Sequence, residues 1–448
     1  MNTLNAALTD AVRRWSDRPA IQFEDRVTTY AGLADLVARL AAAYQELGVR
    51  RGDRLVCQVG NRPEHLVAAA TAWDRAAVHV AADHELPGPE LCGYLHRTDA
   101  KALLYAPITG VADPYEPLRM VRKRHPNVRV IVVGGDPLPG TVAFHDLVDT
   151  PPAADSVLPN PPTADDPAAI FTTSGTTGAP KMPMGYHGKL HRSWTRLGKE
   201  LGFGSDDVHL SHLPLAHGLG LMLMTAALMT GGKLVLVERF SAAAVLPLVE
   251  RERATVLHGS PAHFTLLLDR LDGEPCDISS LRIGVASGAA FTPTLLRSIF
   301  DRMDMDLMLM YGASEGVGVG TTDRAEMLGG SVGRPEPGTV AIMDEAGEPL
   351  PAGRSGEIAF SRGVSPVRYW EAPRDGAPAG PAPEQATGWY HSGDLGRIDA
   401  EGRLYVLGRV KDQINRGGLK VDPLEVEEAL LRCPDIADAA VLGVANPV

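Results

Sequence analysis

The sequence predicts an α/β fold, on the evidence of its apolar runs, the glycines beside them and the helical patterns between them. Four such runs are RLVCQVG (54–60), VRVIVVGG (128–135), KLVLVERF (233–240) and LRIGVASG (281–288). Continuous runs rich in β-branched residues are typical of strands buried on both faces of a parallel sheet. Segments with helical periodicity alternate with these runs and supply the crossover connections that parallel strands need.

Length, charge and composition exclude several classes of protein. The chain has 448 residues, 44% of them apolar, and a formal net charge of −12. This length allows about three domains and several buried cores. Proteins that bind nucleic acids or anionic membranes carry basic surfaces, and the net negative charge argues against both classes. We therefore expect no nucleic-acid partner.

Membrane insertion, secretion and disulfide bonding are also disfavoured. The longest apolar stretch, around Leu219–Met229, is shorter than the ~20 residues of a membrane-spanning helix. The N-terminal segment lacks the apolar core of a signal peptide, and its apolar residues recur at helical spacing. The four cysteines are scattered without a CxxC pair, which favours reduced thiols over a disulfide framework or a zinc site. These features predict a cytoplasmic protein.

Three segments between the apolar runs predict irregular or hairpin structure. Residues 150–167 are rich in proline and predict a loop or linker. Residues 338–353 predict a hairpin that turns at acidic residues and Gly. Residues 371–388 predict a loop, because they lack apolar side chains to bury.

The last 40 residues, from Arg409, predict only part of a domain. Asp422-Pro423 is a favourable helix start, so Leu424–Leu431 is predicted to be a helix, and residues 438–445 are predicted to be a strand. One helix and one strand cannot bury a core alone. The sequence therefore predicts that the chain ends inside a domain.

A segment rich in Thr, Ser and Gly predicts a phosphate-binding loop. FTTSGTTGAPK (171–181) follows the apolar segment AAIF, which favours a loop at the end of a buried strand. Glycine lets backbone N–H groups approach an anion, hydroxyls add donors, and Lys181 adds a positive charge. The spacing differs from the GxxxxGKS or GxxxxGKT pattern of a Walker A loop. A flexible linker is the alternative, but a linker needs neither a lysine behind a proline nor a buried strand in front.

This segment resembles the signature of the adenylate-forming superfamily, which comprises acyl-CoA synthetases, luciferases and the adenylation domains of nonribosomal peptide synthetases. Met182 departs from the pattern, because a Gly commonly follows the Lys there. Five further segments resemble motifs of the family in the family's order, and they are LPLAHGLG (213–220), ASGAA (286–290), YGASEG (311–316), HSGDLGRID (391–399) and GRVKDQINRGGLKV (408–421). The resemblance extends over nearly the whole chain.

The resemblance implies a nucleotide site. It assigns phosphate or adenine contacts to Thr173, Ser174, Gly175, Thr176, Thr177, Gly178, Lys181, Gly288, Ala289, Ala290 and Gly312. Tyr311 would stack on adenine, Ser314 would offer its hydroxyl to the α-phosphate, and Asp394 would hold the ribose hydroxyls. Arg409 would also contact the ribose. Glu315, together with Thr173, would hold Mg²⁺, a hard cation that prefers oxygen ligands.

The resemblance also implies which residues handle the acid and the domain movement. His217 would border the acyl pocket, and an ordinary core histidine is the alternative for this residue. Lys411 would be the pivot of a hinge between domains. Gly417 and Gly418 would lie on a loop that the hinge brings toward the acyl-adenylate. A charged loop with a glycine turn is the alternative for the hinge segment.

The architecture and chemistry of the family follow as expectations. A large N-terminal domain of two α/β subdomains plus a β-barrel would span residues 1–408, and a truncated small α+β domain would span residues 409–448. A carboxylate would attack the α-phosphorus of ATP to give acyl-AMP and pyrophosphate. The thiol of CoA or of a carrier protein would then displace AMP. The expected ligands are therefore a carboxylic acid, ATP or AMP, Mg²⁺ and CoA.

Two hypotheses about the C-terminal segment stay open. The family's C-terminal domain ends with a loop whose Lys bridges the substrate carboxylate and the phosphate, and no residue before Val448 can be assigned that role. Loss of one preorganised charge donor costs about 10²–10³ in rate. In the first hypothesis the chain performs mainly the thioester step, on acyl-AMP made by a separate adenylating enzyme. In the second, the sequence is a piece of an ordinary ligase.

The hinge segment and the apolar segments bear on the substrate and the acceptor. DQINRGG (412–418) is similar to the hinge of stand-alone aryl-acid adenylating enzymes, yet Gly218 stands where those enzymes usually carry Asn. Together with Leu219–Met229 and GVGVG (316–320), this favours a bulky hydrophobic acid, although an ordinary helix core also explains the first of these segments. CoA is favoured as acceptor. The alternatives are a stand-alone enzyme that loads a carrier protein and a non-catalytic AMP-binding module, and the family alone suggests a homodimer.

Overall fold

Two units of the chain are distinguished by their internal contacts. The computed structural model describes residues 2–149, 160–172, 181–313, 315, 317–362, 368–373, 380–381, 388–416, 419–421, 423–430, 433, 436 and 439–444. The first unit comprises residues 1–258, 275–281 and 368–383, and the second comprises residues 259–274, 282–367 and 384–448. The predicted domain boundary at residue 408 is a different division and stays a prediction.

The helices occupy the segments between the strands, as expected for an α/β chain. They are α1 (Leu4–Trp15), α2 (Tyr30–Glu46), α3 (Pro63–Asp74), α4 (Gly88–Thr98), α5 (Glu116–Arg124), α6 (Phe144–Asp149), α7 (His187–Glu200), α8 (Gly218–Met229), α9 (Ala242–Glu252), α10 (Pro261–Gly273), α11 (Pro293–Met303), α12 (Arg324–Leu328) and α13 (Pro423–Leu430). A 3₁₀ turn covers Val410–Asp412.

The strands are short, and most of them hold four or five residues. They are β1 (Pro19–Phe23), β2 (Arg26–Thr29), β3 (Arg54–Gln58), β4 (Val78–Ala81), β5 (Ala102–Tyr105), β6 (Arg129–Val132), β7 (Val142–Ala143), β8 (Pro167–Ile170), β9 (Met184–Tyr186), β10 (Val208–Ser211), β11 (Lys233–Leu236), β12 (Val256–Leu257), β13 (Ile283–Ala286), β14 (Asp306–Ala313), β15 (Val317–Thr321), β16 (Val340–Met343), β17 (Ser355–Ser361), β18 (Trp370–Glu371), β19 (Gly380–Pro381), β20 (Trp389–Ile398), β21 (Leu404–Arg409), β22 (Ile414–Arg416) and β23 (Leu419–Val421).

The first unit contains two sets of mostly parallel strands, which confirms the predicted α/β class. One sheet has the order β7-β6-β5-β3-β4-β8-β9, in which β9 is antiparallel to β8. In the other set β12, β10, β11 and β1 are parallel neighbours, and β2 runs antiparallel to β1. Three of the four apolar runs form β3, β6 and β11, whose residues are mostly buried. Buried parallel strands need apolar side chains on both faces, which is why these runs do not alternate.

Helix α3 fills much of the first unit's core. Residues 65–73 of this helix are all buried. The indole N–H of Trp73 donates to the Ala168 carbonyl at 3.0 Å, and its ring centroid lies 6.0 Å from that of Trp194. A helix that is apolar all round belongs in the interior of a large unit. The one polar group of the buried Trp73 ring, its N–H, has a hydrogen-bond partner in the Ala168 carbonyl.

A segment from far along the chain adds to the edge of the seven-stranded sheet beside β9. The Met184 N–H donates to the Arg368 carbonyl at 2.9 Å, and the Trp370 N–H donates to the Met182 carbonyl at 2.8 Å. The indole N–H of Trp370 donates to the carbonyl of Arg97, 273 positions earlier, at 3.1 Å. Backbone pairing and one largely buried aromatic anchor therefore hold residues 368–370 on this edge.

The second unit combines parallel and antiparallel strands. β13 and β14 are parallel, and β15 returns antiparallel to β14. The fourth apolar run of the sequence forms β13. A separate antiparallel sheet has the order β16-β17-β20-β21. β22 and β23 form a small hairpin. All four strands of the antiparallel sheet follow the last of the four apolar runs along the chain.

Several sequence predictions are confirmed and others need correction. The N-terminal helix is α1, the C-terminal helix is α13, and the predicted hairpin is β16–β17, with its second strand after residue 353. The loop predicted over 371–388 contains a short strand pair, β18–β19. The strand predicted over 438–445 is wrong for residues 439–444, which adopt no regular structure. A strand needs a ladder partner, and Leu442 and Val444 are instead 82% and 89% exposed.

Two further predictions concern the thiols and the apolar helix. All four cysteines are free, and Cys57 and Cys92 are buried. Among the described residues, no helix has the length and apolar character needed to cross a membrane. Of the predicted linker 150–167, residues 160–166 have no helix or strand, Pro167 begins β8, and the rest lies outside the described residues.

A pair of buried histidines supports the end of β3. His65 on α3 and His79 on β4 are 0% and 1% exposed, and their Nε2 atoms lie 3.2 Å apart. The Nδ1 atom of His65 lies 3.0 Å from the Gly60 carbonyl, so this nitrogen carries the proton. Its Nε2 then accepts from the Nε2–H of His79, and both rings are neutral. Burial lowers the pKa of His65 to about 4 and also lowers the pKa of His79.

We expect acid to destabilise the protein through this histidine pair. Below the ordinary pKa of about 6.5 the unfolded His65 binds a proton that the native ring rejects, so stability falls from there toward the native pKa of about 4. The expected loss between neutral pH and about pH 5 is on the order of 1–2 kcal/mol for this residue. Urea unfolding at several pH values should show a flatter pH dependence for His65→Asn. His145→Asn, at a histidine whose side chain is 71% exposed, is the matched control. Equal slopes for both variants would contradict the expectation.

Candidate active site

The carboxyl ends of three strands in the first unit bring the predicted residue His217 close to an aspartate and to the start of the predicted phosphate-binding segment. Thr172, at the start of the predicted phosphate-binding segment after β8, donates its hydroxyl to the Ala81 carbonyl at 3.3 Å. Ala81 ends β4, and Asp83 follows two residues later. The Asp83 carboxylate lies 4.0 Å from Nε2 of His217, in the connection after β10. Both side chains are about half exposed, so they are available to a ligand.

The backbone around His217 forms a tight turn into α8. The His217 N–H donates to the Pro214 carbonyl at 3.0 Å, and the His217 carbonyl accepts from Leu221 at 3.1 Å. A Cβ on Gly220 would lie 2.2 Å from the Pro214 carbonyl oxygen, so this turn requires glycine. Gly218 packs beside Phe171, since a Cβ added to Gly218 would lie 3.6 Å from Cδ1 of the Phe171 ring. The beginning of α8 therefore lies against the end of β8, which precedes the predicted phosphate-binding segment.

Helix α8 is mainly part of the core. Eight of its twelve residues are buried, and the sequence GLGLMLMTAALM has apolar residues all round. Leu219 and Met222 are among those that are only half buried, and they lie on the first turns, near His217. The core interpretation therefore holds for most of Leu219–Met229, and only the first turns leave apolar surface for a substrate.

In the second unit, an aspartate is held by a tyrosine and an arginine. Asp394 on β20 pairs in register with Arg409 on β21. Its Oδ1 lies 2.8 Å from Nε of Arg409, and its Oδ2 accepts the hydroxyl proton of Tyr311 at 2.7 Å. The Asp394 side chain is 14% exposed, whereas that of Arg409 is 55% exposed. The structure thus brings these three predicted residues together.

Burial governs the ionisation of this group. Burial raises the pKa of Asp394, and the Tyr311 hydrogen bond and the Arg409 charge act in the opposite direction. Burial and the neighbouring carboxylate also raise the pKa of Tyr311, so its hydroxyl stays a donor. The ring of Tyr311 stacks on Phe360, with centroids 6.1 Å apart and planes 27° apart. The aromatic face and the carboxylate are therefore held in a fixed relation.

The neighbouring strand end adds the predicted adenine-lining residues. Ala286, the last residue of β13, pairs with Leu309 of β14. Residues 288–290 and Tyr311 follow these paired residues in the same direction, so they lie toward the same edge of the sheet. Gly288, Ala289 and Ala290 are exposed there, and Gly288 has a φ of +95°, which favours glycine. Gly312 is also exposed. The glycines and alanines at these positions add little side-chain bulk, which suits the approach of a flat ring.

The remaining predicted residues are spread over both units. Lys181 is exposed in the first unit, and Lys411 is exposed in the 3₁₀ turn of the second. Glu315 is 7% exposed. The predicted positions that lie outside the described residues are Thr173, Ser174, Gly175, Thr176, Thr177, Gly178, Ser314, Gly417 and Gly418. Their roles stay predictions.

The donor set around Glu315 is compatible with Mg²⁺. In the part of the chain that the structure describes, no group of three or more His, Cys, Asp or Glu side chains is arranged to hold a metal ion. Mg²⁺ needs no such cage, because it usually takes one or two carboxylates and completes its shell with water and substrate phosphates. A single carboxylate at residue 315 fits that pattern.

Sequence reasoning missed two residues of the first unit's site. Asp83 follows the buried run VHVA of β4, and Asn61 follows the run that forms β3. A polar residue directly after a buried strand was the available signal, because ligands of open α/β sheets bind outside the carboxyl ends of strands. Neither residue belongs to a motif that the sequence analysis singled out.

Comparison with known proteins identifies similar chains. The sequence profile described as AMP-binding enzyme matches residues 8–367. A feruloyl-CoA synthase from Amycolatopsis sp is 32% identical over 434 residues, which cover 96% of this chain and 83% of that protein. A CoA ligase of Mycobacterium tuberculosis, named for a methyl-dioxo-octahydroindenyl propanoyl group, is 32% identical over 99% of this chain and 86% of its own.

A solved structure extends this similarity to the fold. ATP-bound MatB from Rhodopseudomonas palustris superposes with a TM-score of 0.81 at 26% identity, over 99% of this chain and 86% of that protein. The α/β class with an added antiparallel sheet is therefore shared with a protein whose structure contains ATP.

Gly220→Ala should destabilise the first unit by roughly 1–3 kcal/mol, because the new Cβ would force the Pro214 carbonyl to move. Gly93→Ala on α4 is the matched control, since nothing lies within 4 Å of its Cβ position. Alanine is the better helix former, so this control should be neutral or stabilising by up to about 1 kcal/mol. Urea unfolding of both variants provides the test, and equal stabilities would contradict the requirement for glycine at residue 220.

Proposed function

The chain belongs to the AMP-binding enzyme family, and on that premise we propose that it is an acyl-CoA ligase for a bulky hydrophobic or aryl carboxylic acid. The structural observation that supports this most is the group formed by Tyr311, Asp394 and Arg409 at the exposed edge that carries Gly288. A buried carboxylate beside an aromatic ring suits a nucleoside, because a diol can donate two hydrogen bonds to it.

The proposed reaction has two steps, formation of the acyl-adenylate and formation of the thioester. The oxygen of the substrate carboxylate attacks the α-phosphorus of ATP, and pyrophosphate leaves with the electron pair of the broken P–O bond. The CoA sulfur then attacks the carbonyl carbon of the acyl-adenylate and loses its proton. AMP leaves, and a thioester remains. Enzymes of this kind use ATP, Mg²⁺ and CoA, and Mg²⁺ supplies charge neutralisation at the phosphates.

We assign roles to the described residues within this reaction. Asp394 accepts hydrogen bonds from the ribose hydroxyls, and Tyr311 presents its ring to adenine. Lys181 and the loop before it hold the phosphates, and Glu315 holds Mg²⁺. His217, beside Asp83, borders the acid. Lys411 serves as the hinge pivot before the loop that carries Gly417 and Gly418.

The proposed substrate class rests on the start of α8. Gly218 has no side chain with which to recognise a polar group on the acid, and Leu219 and Met222 offer apolar surface. A bulky hydrophobic or aryl acid gains from such surroundings. The two relatives, a feruloyl-CoA synthase and a ligase for a bicyclic propanoyl acid, are named for acids of this kind. A carrier protein stays the alternative acceptor, and a homodimer stays a prediction.

The first test offers CoA and a panel of bulky and aryl acids to the purified protein. Each acid is supplied as free acid with ATP and Mg²⁺, and separately as preformed acyl-adenylate. Acyl-CoA is read by mass spectrometry, and reactions without ATP or without CoA are the controls. We expect acyl-CoA from the adenylate of at least one acid.

The outcomes separate the alternatives left by the sequence. Product from the free acid at ordinary rates would overturn the prediction of impaired adenylation and leave a complete ligase. Product only from the adenylate would support the thioester half-reaction, with a separate adenylating enzyme as the source. Transfer to a phosphopantetheinylated carrier protein and not to CoA would contradict the proposed acceptor. No product in any arm would favour a non-catalytic AMP-binding module.

The proposed ribose contact has a matched internal control. Asp399, on the hairpin formed by β20 and β21, accepts from Arg403 at 2.7 Å and from the Tyr405 hydroxyl at 3.1 Å, and its side chain is 13% exposed. Like Asp394, it is bound by an arginine and a tyrosine hydroxyl, but its Oδ1 also accepts the backbone N–H groups of Glu401 and Arg403. Asp394→Asn and Asp399→Asn each remove one carboxylate that is bound by an arginine and a tyrosine.

We expect wild type to bind ATP more tightly than 2′,3′-dideoxy-ATP by about 10–100-fold, because the dideoxy sugar offers Asp394 no hydroxyl. Asp394→Asn should reduce this ratio below about threefold, whereas Asp399→Asn should preserve it. Isothermal titration with both nucleotides provides the measurement. A ratio that persists in Asp394→Asn would assign the ribose to other residues.

A further inference from the structure

We propose that Asn61 is a positioning residue that sets the place of His217. Asn61 follows β3 in one sheet of the first unit, and its side chain bonds to the connection after β10 and to the residue after β11. It is 4% exposed and therefore does not face a ligand. The functional part of this inference rests on the proposed role of His217.

The side chain of Asn61 makes four contacts with backbone groups. Its Nδ2 lies 3.0 Å from the His212 carbonyl, 3.0 Å from the Leu213 carbonyl and 3.3 Å from the Val237 carbonyl. Its Oδ1 accepts from the Leu215 N–H at 2.8 Å. Both ends of the amide are used, donors on one side and acceptor on the other.

These contacts supply the hydrogen bonds that a strand or a helix would otherwise provide to residues 212–217. Residues 212–217 belong to neither a strand nor a helix, yet His212, Leu215 and Ala216 are buried. Buried backbone groups need partners, and an unmade hydrogen bond there is costly. Asn61 supplies a donor to the His212 and Leu213 carbonyls and an acceptor to the Leu215 N–H, so the connection adopts one path.

The fixed path leads directly to His217. The Leu215 N–H is bound to Asn61, and the preceding Pro214 carbonyl accepts the His217 N–H at 3.0 Å. Gly220 packs on that same carbonyl. The position of His217 beside Asp83 is therefore set by the backbone that Asn61 holds. Removal of the amide frees this backbone without removing any group that meets a substrate.

The residue before Asn61 is also fixed by a hydrogen bond. The preceding Gly60 carbonyl accepts the Nδ1–H of His65 at 3.0 Å, and Gly60 has a φ of +68°. The chain therefore leaves β3 in a defined direction. An aspartate at residue 61 would keep the acceptor for Leu215 but turn a carboxylate toward carbonyl oxygens, so an amide is needed here.

Hydrogen exchange tests the positioning without any assay of activity. Asn61→Ala and Asn61→Asp should raise amide exchange in residues 212–221 by about tenfold or more. The matched control is Tyr30→Phe, since the buried Tyr30 hydroxyl also bonds two carbonyls of this unit, those of Leu228 at 3.1 Å and Gly232 at 2.8 Å. This control should leave residues 212–221 at the wild-type rate. Unchanged exchange in both Asn61 variants would overturn the proposal.

Kinetics with His217→Ala test whether Asn61 acts through His217. In the wild-type background, Asn61→Ala should lower kcat/KM by about 10–100-fold for whichever substrate wild type accepts, free acid or acyl-adenylate, and leave the KM for CoA within about twofold. In the His217→Ala background the same change should cost less than about threefold, because the positioned group is already absent. A purely structural role would lower activity equally in both backgrounds, and would overturn the proposal.

The two arms also separate this inference from the proposed function. If wild type makes no thioester from any acid or adenylate, the proposed function fails, and the exchange arm still decides whether Asn61 holds the connection. If wild type is active and exchange is unchanged in the Asn61 variants, the function stands and the positioning inference fails.

Discussion

Much of the first unit's site depends on one constraint: the buried backbone after β10 must find hydrogen-bond partners where no strand or helix supplies them. The amide of Asn61 meets that requirement from the end of a strand in another sheet. The turn at Gly220 and the position of His217 follow from the path that results. A buried polar side chain destabilises the core when its hydrogen bonds are not made, and it selects one conformation when all of them are made. The side chain of Asn61 has partners for both its donor and its acceptor, so it selects one backbone path.

The second unit is organised around a carboxylate in the same way. Asp394 and Asp399 are each held by an arginine and a tyrosine hydroxyl around one hairpin. What differs is their setting, since Tyr311 comes from β14 and brings the carboxylate to the edge that carries residues 288–290. Similar local chemistry therefore serves a candidate ligand site in one case and a turn in the other. Surroundings rather than residue type separate the two.

The sequence predicts the buried strands and the terminal helices, because both depend on neighbours along the chain. The four apolar runs form β3, β6, β11 and β13, and the predicted N-terminal and C-terminal helices are α1 and α13. It misses Asn61 and Asp83, whose partners lie more than a hundred positions away. It also predicts a strand over 438–445, since propensity alone does not show whether a pairing strand is present. Tertiary contacts decided each of these cases.

The pairing of residues 368–370 with the edge beside β9 bears on how the chain is made. The two partners are about 180 residues apart, so a ribosome adding 5–20 residues per second completes the second partner roughly 10–40 s after the first. During this interval the newly made sheet has an open edge, and open edges pair readily with other chains. The period in which nascent copies are prone to misassembly is therefore set by the rate of translation.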